Sequence, residues 1–408
     1  MFDVIVLGGG IGGLYAAFSV LKKHPGSSVL VLEKASYLGG RVYTYHDKFM
    51  TVEAGAGRFH KNHLLLMKLI REMGLGDRVV KITNDSTFVP TGVVTRLPKY
   101  HMDSLIKRVM VAGKKADREV LKHTLFIDFI GTVLDEAETK YIQNAFGYYS
   151  ELVIMNAYNA LHLMDELMGP GNDFYVLAGG LSQLVDELVR HIGLDGGKIY
   201  IKKNVLGVVV EEDGLVYVEC QENKRHFVGK SCICALPKQV AERFRFFAGL
   251  RPYFKSIKCA PLCRIYCKFS DVWFRGLGKI TTNNALRMII PISEEDGIIM
   301  ISYSDYKYAL WWNRLYKEDG VSGVNRELRR LVRLTLGKDI GVPLSTRVCF
   351  WDCGVGYWGV GANSDVDMSR PIAGAPVYLC GEHYSSRFQQ WMEGALETAA
   401  KVVKQIVI

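Results

Sequence analysis

Apolar positions in this chain follow two periods, and the switches between them mark its elements. Val4-Ile5-Val6-Leu7 is an unbroken apolar run, the pattern of a strand covered on both faces. It feeds Gly8-Gly9-Gly10-Ile11-Gly12-Gly13, after which the spacing predicts a helix over 14–22. A second apolar run over 29–32 ends in Glu33. The glycines between strand and helix have distinct physical uses. Gly8 and Gly10, with Gly12 in the same turn, allow a tight bend and close approach of a pyrophosphate; Gly13 lets the helix lie close on the strand. Free N–H groups at the helix start face the phosphates. Glu33, twenty residues past Gly13, is placed for ribose hydroxyls. The pattern predicts a dinucleotide site, with an ordinary strand–helix turn as the alternative.

Further along, helical spacing of Leu64, Leu65, Met67, Leu69 and Ile70 predicts a helix. Helical periodicity dominates 84–170, where no nucleotide motif occurs. Val176–Leu184 returns to a glycine turn before a helix. Strand patterns follow over 199–210, 216–220 and 231–235, ending at Leu236-Pro237. Residues 250–345 mix strands (263–269 and 297–303) with a helix around 324–336, and the block from 376 reads as strand, loop and long helix. No internal repeat or low-complexity segment is present. The expected architecture is α/β. A Rossmann-like nucleotide domain made of 1–83, 171–249 and 346–408 is interrupted by a mixed α+β substrate domain made of 84–170 and 250–345.

The 408 residues suffice for two domains with full cores, and 49% apolar content describes a globular chain. The net charge of +9 is spread, with modest basic clusters at 107–118 and 326–333 that read as solvated helix faces. Neither carries a nucleic-acid motif, so no nucleic-acid partner is expected. Nine scattered cysteines lack zinc-site spacing and are expected as buried free thiols in a reducing compartment. With a strand beginning at Phe2 and no span apolar enough for a membrane, the expectation is a soluble, cytoplasmic protein without leader or anchor.

Gly39-Gly40-Arg41, just after the ribose acid, favours FAD over NAD, because a nicotinamide site has no use for a second glycine turn carrying an arginine. At the other end, Val377–Cys380 reads as a buried strand ending in Gly381-Glu382, and Trp391-Met392 opens a helix whose N-terminus suits reduced flavin. These segments together resemble the flavin-containing amine oxidase superfamily, which includes monoamine, polyamine and L-amino-acid oxidases. The resemblance extends to the glycine turn at Gly179-Gly180 and to Ala235-Leu236-Pro237, and it is thin over 84–170.

The resemblance implies non-covalent FAD, since monoamine oxidases place a linking cysteine before an aromatic-cage tyrosine and Gly356-Tyr357 stands here. It implies cofactor contacts from Gly8, Gly10, Gly12, Gly13, Glu33, Lys34, Gly40, Arg41, Gly57, Arg58, Val205, Gly381, Glu382, Trp391 and Met392. Val205 reads equally as strand core. Trp391 and Tyr357 would form the two walls of an aromatic cage, with Trp358 as substitute, and simple core aromatics as the alternative. The lysine that many members hold near the reacting flavin nitrogen is matched by Arg264, with Lys258 and Lys268 as fallbacks; an arginine cannot give up its proton. Gly55-Ala56-Gly57-Arg58 resembles the carboxylate-gripping arginine of L-amino-acid oxidases, although a cofactor phosphate or surface acid would also suit Arg58. Glu151 and Asp165 are candidate acids for a polyamine.

The implied reaction is hydride transfer from an amine α-carbon to flavin N5, imine hydrolysis and reduction of oxygen to hydrogen peroxide. The expected partners are a small amine and oxygen. A primary amine or polyamine stands ahead of an L-amino acid. The alternatives are a desaturase-like or protoporphyrinogen-oxidase-like flavoenzyme of the same fold, or a degenerate FAD-binding protein.

Overall fold

The computed structural model describes residues 1–91, 100–167, 173–222 and 226–408. The first strand, Phe2–Leu7, pairs in parallel with Val29–Leu32 on one side and Phe227–Cys234 on the other. Lys198–Tyr200 extends one edge, and an antiparallel meander of Val205–Val210 and Val216–Cys220 extends the other; Val377–Leu379 pairs in parallel with Phe227–Cys234. Alternate side chains serve two cores. Val4, Val6, Val29, Val31 and Ile233 pack under helices Ile11–Lys23, Ser182–Leu194 and Met392–Gln405. Ile5, Leu7, Leu30, Leu32, Cys232 and Cys234 face Phe244, Phe247, Phe254 and Trp358. Coverage of both faces is why these strands read as continuous apolar runs.

A second sheet has the order Ser345–Trp358, Ile257–Lys268, Ile298–Asp305, Met288–Ser293, Lys279–Thr281, Ser86–Phe88. It is antiparallel except for its last pair. Helices from Met102–Gly113 to Ala157–Leu167 pack on the end of its longest strands, enclosing Ala260 and Tyr357. Asn156 ties the two together: its buried side-chain amide donates to the carbonyls of Trp358 (3.2 Å) and Gly359 (2.8 Å).

Several elements differ from the sequence expectation for identifiable reasons. The run over 199–210 is two strands, because Lys202 adopts a positive φ of 56° and the halves serve opposite edges of the sheet. The helix expected around 324–336 begins at Tyr306 and is broken at Gly320, where φ is 64° and ψ −161°. Its first half buries only Ala309 and Trp312, too few positions to register as a stripe. The helical region also contributes the edge strand Ser86–Phe88. The two sheets support a proposed division in which the chain crosses four times between nucleotide and substrate parts, with Ser345–Trp358 in the latter. The expected boundary at 170/171 lies outside the described residues.

Seven cysteines are free and buried, but Cys259 and Cys353 are joined in a disulfide, correcting the expectation of free thiols throughout. They are 94 positions apart, and a shift in strand register between Ala260 and Leu262 brings the two Cα atoms to 5.2 Å.

The two glycine roles separate experimentally. A Cβ on Gly13 would lie 2.0 Å from the Gly8 carbonyl oxygen, whereas one on Gly10 meets nothing closer than 3.9 Å. Gly13→Ala is expected to lower stability by about 3 kcal/mol through overpacking. Gly10→Ala, at an ordinary extended N-cap (φ −75°, ψ 173°), should cost about 1 kcal/mol or less. Thermal unfolding of the two apoproteins checks this; equal losses would contradict it.

Candidate active site

A cavity of about 510 Å³ runs between the two sheets. The expected cofactor, cage and arginine residues line it except Gly13, which lies under the turn and holds helix and strand together; Asp165 and the substitutes Trp358, Lys258 and Lys268 do not. At the nucleotide end, Gly8 takes φ 100° and Gly40 φ 61°, conformations that favour glycine. The helix Ile11–Lys23 begins at Gly10, and the N–H groups of Ile11, Gly12 and Gly13 precede its first hydrogen bond, from Leu14 N–H to the Gly10 carbonyl. A Cβ on Gly10 would meet nothing closer than 3.9 Å, so the backbone there is open to close approach, as an anion at a helix N-terminus requires. Glu33 is already engaged, accepting from Gly9 N–H and Ala35 N–H at 2.8 Å each, which fixes its carboxylate at the rim beside Lys34 and Val205.

The C-terminal block is built around Glu382. Its buried carboxylate pairs with Arg41, accepts from Gln390 N–H at 3.1 Å and lies 3.1 Å from His383 Nε2. Burial pushes its pKa up, but His383 and Arg41 outweigh that and hold it well below the usual carboxylate range. Gln390 sits at a positive φ of 74°, and this turn delivers Trp391 to the cavity as the N-cap of Met392–Gln405. That helix reaches the first one closely: a Cβ on Gly12 would lie 3.3 Å from Ala395 Cβ. Glu393 accepts from the N–H groups of Leu65 and Leu66 at 2.9 Å each, capping the helix Leu64–Glu72.

The far end is aromatic and cationic. Trp391 packs 4.9 Å from the buried His63 ring and Tyr357 is fully buried, its hydroxyl 2.7 Å from Ser150 Oγ. Ser150 in turn donates to Asp305. Burial takes the His63 pKa down to about 3, so this ring is neutral. Arg58 donates to Asn84 (2.6 Å) and to Tyr148 (2.9 Å), and its guanidinium stands 4.3 Å from the Phe174 ring centre and 5.9 Å from that of Trp391. Arg264 donates to the Glu53 carbonyl at 3.0 Å and lies over Tyr303 at 4.5 Å. Gly57 admits it: a Cβ there would be 2.8 Å from Arg264 Nη1. Burial works against the charge of Arg264, yet Tyr303 and Tyr266 outweigh it and keep the group protonated. Glu151 also faces the cavity, and burial with Asp305 nearby pushes its pKa up to about 8. Behind Asn84, burial and Arg58 bring Lys279 down to about 7.

The fallback residues lie elsewhere. Trp358 is buried in the nucleotide-side core, donating to the Ser385 carbonyl at 2.9 Å. Lys258 is exposed and donates to the Lys255 carbonyl, and Lys268 ends its strand away from the cavity. Asp165 is exposed and paired with Lys114 at 3.2 Å, so it is no acid of this site. Sequence reasoning missed Tyr148, Tyr303, Gln390 and His383 as lining residues. None sits in a motif; only the paired excursions of the chain bring the first two together, with ring centres 5.6 Å apart.

A family model described as flavin containing amine oxidoreductase matches residues 11–407. Polyamine oxidase 5 of Oryza sativa subsp. japonica is 24% identical, covering 92% of this chain and 79% of that one. The flavin-containing amine oxidase A of Equus caballus is 42% identical over 76 residues, 18% of this chain and 14% of its own length. Among solved structures, wild-type putrescine oxidase bound to putrescine superposes with a TM-score of 0.79 at 16% identity, covering 99% and 98% of the two chains. These similarities agree with the α/β flavin-binding architecture, and the chain belongs to the flavin-containing amine oxidoreductase family.

Proposed function

We propose that this protein binds FAD non-covalently and oxidises an amine that also carries a carboxylate, an amino-acid-type substrate, with oxygen as the acceptor. FAD, when bound, supplies a two-electron acceptor for a hydride from the amine α-carbon. The chain's own residues do the rest. The N–H groups at the start of Ile11–Lys23 and the Glu33 carboxylate suit pyrophosphate and ribose, and the absence of a cysteine before Tyr357 fits an unlinked flavin. Trp391 and Tyr357 flank the route to the reacting position and orient the substrate.

The observation that carries the substrate class is the pair of guanidinium groups, Arg58 and Arg264, at the same end of the cavity as these aromatics. A guanidinium fork grips a carboxylate with two hydrogen bonds. Two cations also lower the pKa of a bound ammonium and favour the neutral amine from which hydride can leave. A polyamine needs the reverse, an anion for its distal ammonium. Glu151, with its pKa near 8, is mostly uncharged at neutral pH and serves that poorly.

Anaerobic mixing of the holoenzyme with L-amino acids, primary amines and polyamines tests the reading through loss of flavin absorbance. Amino acids are expected to bleach it. Arg58→Ala should then reduce kcat/KM about 100-fold, since a charge-assisted pair contributes about 2–3 kcal/mol. Bleaching by polyamines alone would overturn the carboxylate assignment.

The state of Glu151 is tested by stability. Its carboxyl releases its proton near 4.5 in the unfolded chain but near 8 in the fold. The unfolded state therefore binds fewer protons between these values, and stability falls as pH rises through the window. Glu151→Gln escapes this loss. The variant apoprotein should match wild type at about pH 4.5 and exceed it by on the order of 1 kcal/mol or more above pH 8. A difference independent of pH in thermal melts would contradict the assignment.

A further inference from the structure

Of the nine cysteines, the two joined in the disulfide are also the two that are half-buried; the other seven are buried. The bridge lies between two cavities. Cys353 and Gln239 line both the cofactor cavity and a second, open one of about 490 Å³ at the surface, which Cys259 also lines. Lys238, Lys255 and Lys258 stand around that outer cavity with Glu242 and Asp352, leaving an excess of one positive charge.

His383 makes the two sulfurs unequal. Its Nδ1 accepts from Lys238 N–H at 3.0 Å, so the ring proton resides on Nε2. That Nε2–H points to Glu382 at 3.1 Å and to Cys353 Sγ at 3.7 Å. A sulfur beside an N–H donor leaves more readily as thiolate. Cys259 Sγ instead faces the side-chain oxygen of Gln239 at 3.7 Å, an acceptor suited to a protonated thiol. The same tautomer argues against a metal held by Cys259, Cys353 and His383, because Nε2 has no lone pair to offer.

We propose that Cys259–Cys353 is a thiol–disulfide exchange site that takes small anionic thiols from the outer cavity. The incoming thiolate attacks Cys259 Sγ, a new S–S bond forms there, and the bond to Cys353 breaks with Cys353 leaving as thiolate beside His383 Nε2–H. A second thiolate then attacks the mixed disulfide at the outer sulfur. The small disulfide departs, Cys259 takes up a proton from solvent, and two thiols have been oxidised as the bridge is reduced. The reverse exchange with a disulfide of the same class restores the bridge, so no further oxidant is required. The exchange state bears on the cofactor side, since the carbonyl of Gly354, next to Cys353, accepts from Arg41 at 3.0 Å.

The test uses the holoenzyme without denaturant, with glutathione as the anionic thiol and cysteamine as a cationic one at matched thiolate concentration. Iodoacetamide labelling and mass spectrometry then read each cysteine. Labelling confined to Cys259 and Cys353 is expected, because burial raises the pKa of the other thiols, to about 12 at Cys234 and Cys267. Glutathione should act at least about three times faster than cysteamine, with the margin shrinking in high salt. In Cys353→Ser offered glutathione disulfide, the Cys259 thiolate attacks one sulfur, glutathione leaves as thiolate, and the adduct should accumulate on Cys259 because no second cysteine resolves it. In reduced His383→Gln, alkylation of Cys353 at neutral pH should slow about ten-fold. The pH profile of this alkylation, measured for wild type and variant, is read against Glu382, Arg41, Lys238, Glu242, Lys258 and Asp352, the charged groups around the pair. A bridge that yields only in denaturant, equal rates for the two thiols, or stoichiometric zinc binding by the reduced protein would each overturn the proposal. The wild-type labelling stands even if a variant fails to fold.

Discussion

The site depends on one buried carboxylate. Glu382 is brought out of water at the end of the strand Val377–Leu379, and an unpaired charge there would cost several kcal/mol. Its partners come from both ends of the chain: Arg41 from the second glycine turn, Gln390 N–H from the turn before the last helix, and the His383 ring. Satisfying this charge fixes the N-terminal nucleotide turn against the C-terminal block. It also holds Gln390 in the strained conformation that presents Trp391. Breaking the tie leaves a buried anion with too few donors, so the cavity loses its shape and its charge balance together.

The same tie orders the functional parts. Arg41 reaches on to the Gly354 carbonyl, on the strand that carries Tyr357. The nucleotide end, the aromatic walls and the disulfide are thereby linked through a few directed hydrogen bonds. Arg58 and Arg264 are fixed separately, by Asn84, Tyr148 and the Glu53 carbonyl. Their charge sets the character of the far end, which is cationic and aromatic, with its acid held largely neutral.

Much of this was legible in the sequence where the physics is local. The unbroken apolar run 4–7 and the turn Gly8–Gly13 encode a parallel strand, a tight bend and a close-packed helix within a dozen residues, and Gly381-Glu382 marks a strand end in the same way. What the sequence concealed is set by long-range packing. Lys202 splits one apolar run between opposite sheet edges. Tyr148 and Tyr303 meet only because two excursions fold onto each other. Cys259 and Cys353 meet through a shift in strand register, for which spacing gives no sign. Asp165 and Trp358 had suitable chemistry but point into solvent and core respectively.

The most direct measurement of the central claim is the affinity of the apoprotein for FAD in wild type and in Glu382→Gln, read from quenching of flavin fluorescence. Glutamine keeps the shape but removes the charge that Arg41 and Gln390 N–H meet. The variant is expected to bind FAD at least about ten-fold more weakly, with near-native secondary structure, since charge-assisted hydrogen bonds contribute about 1.5–3 kcal/mol each. Unchanged affinity would contradict the claim that this carboxylate joins the two ends of the chain into one flavin site.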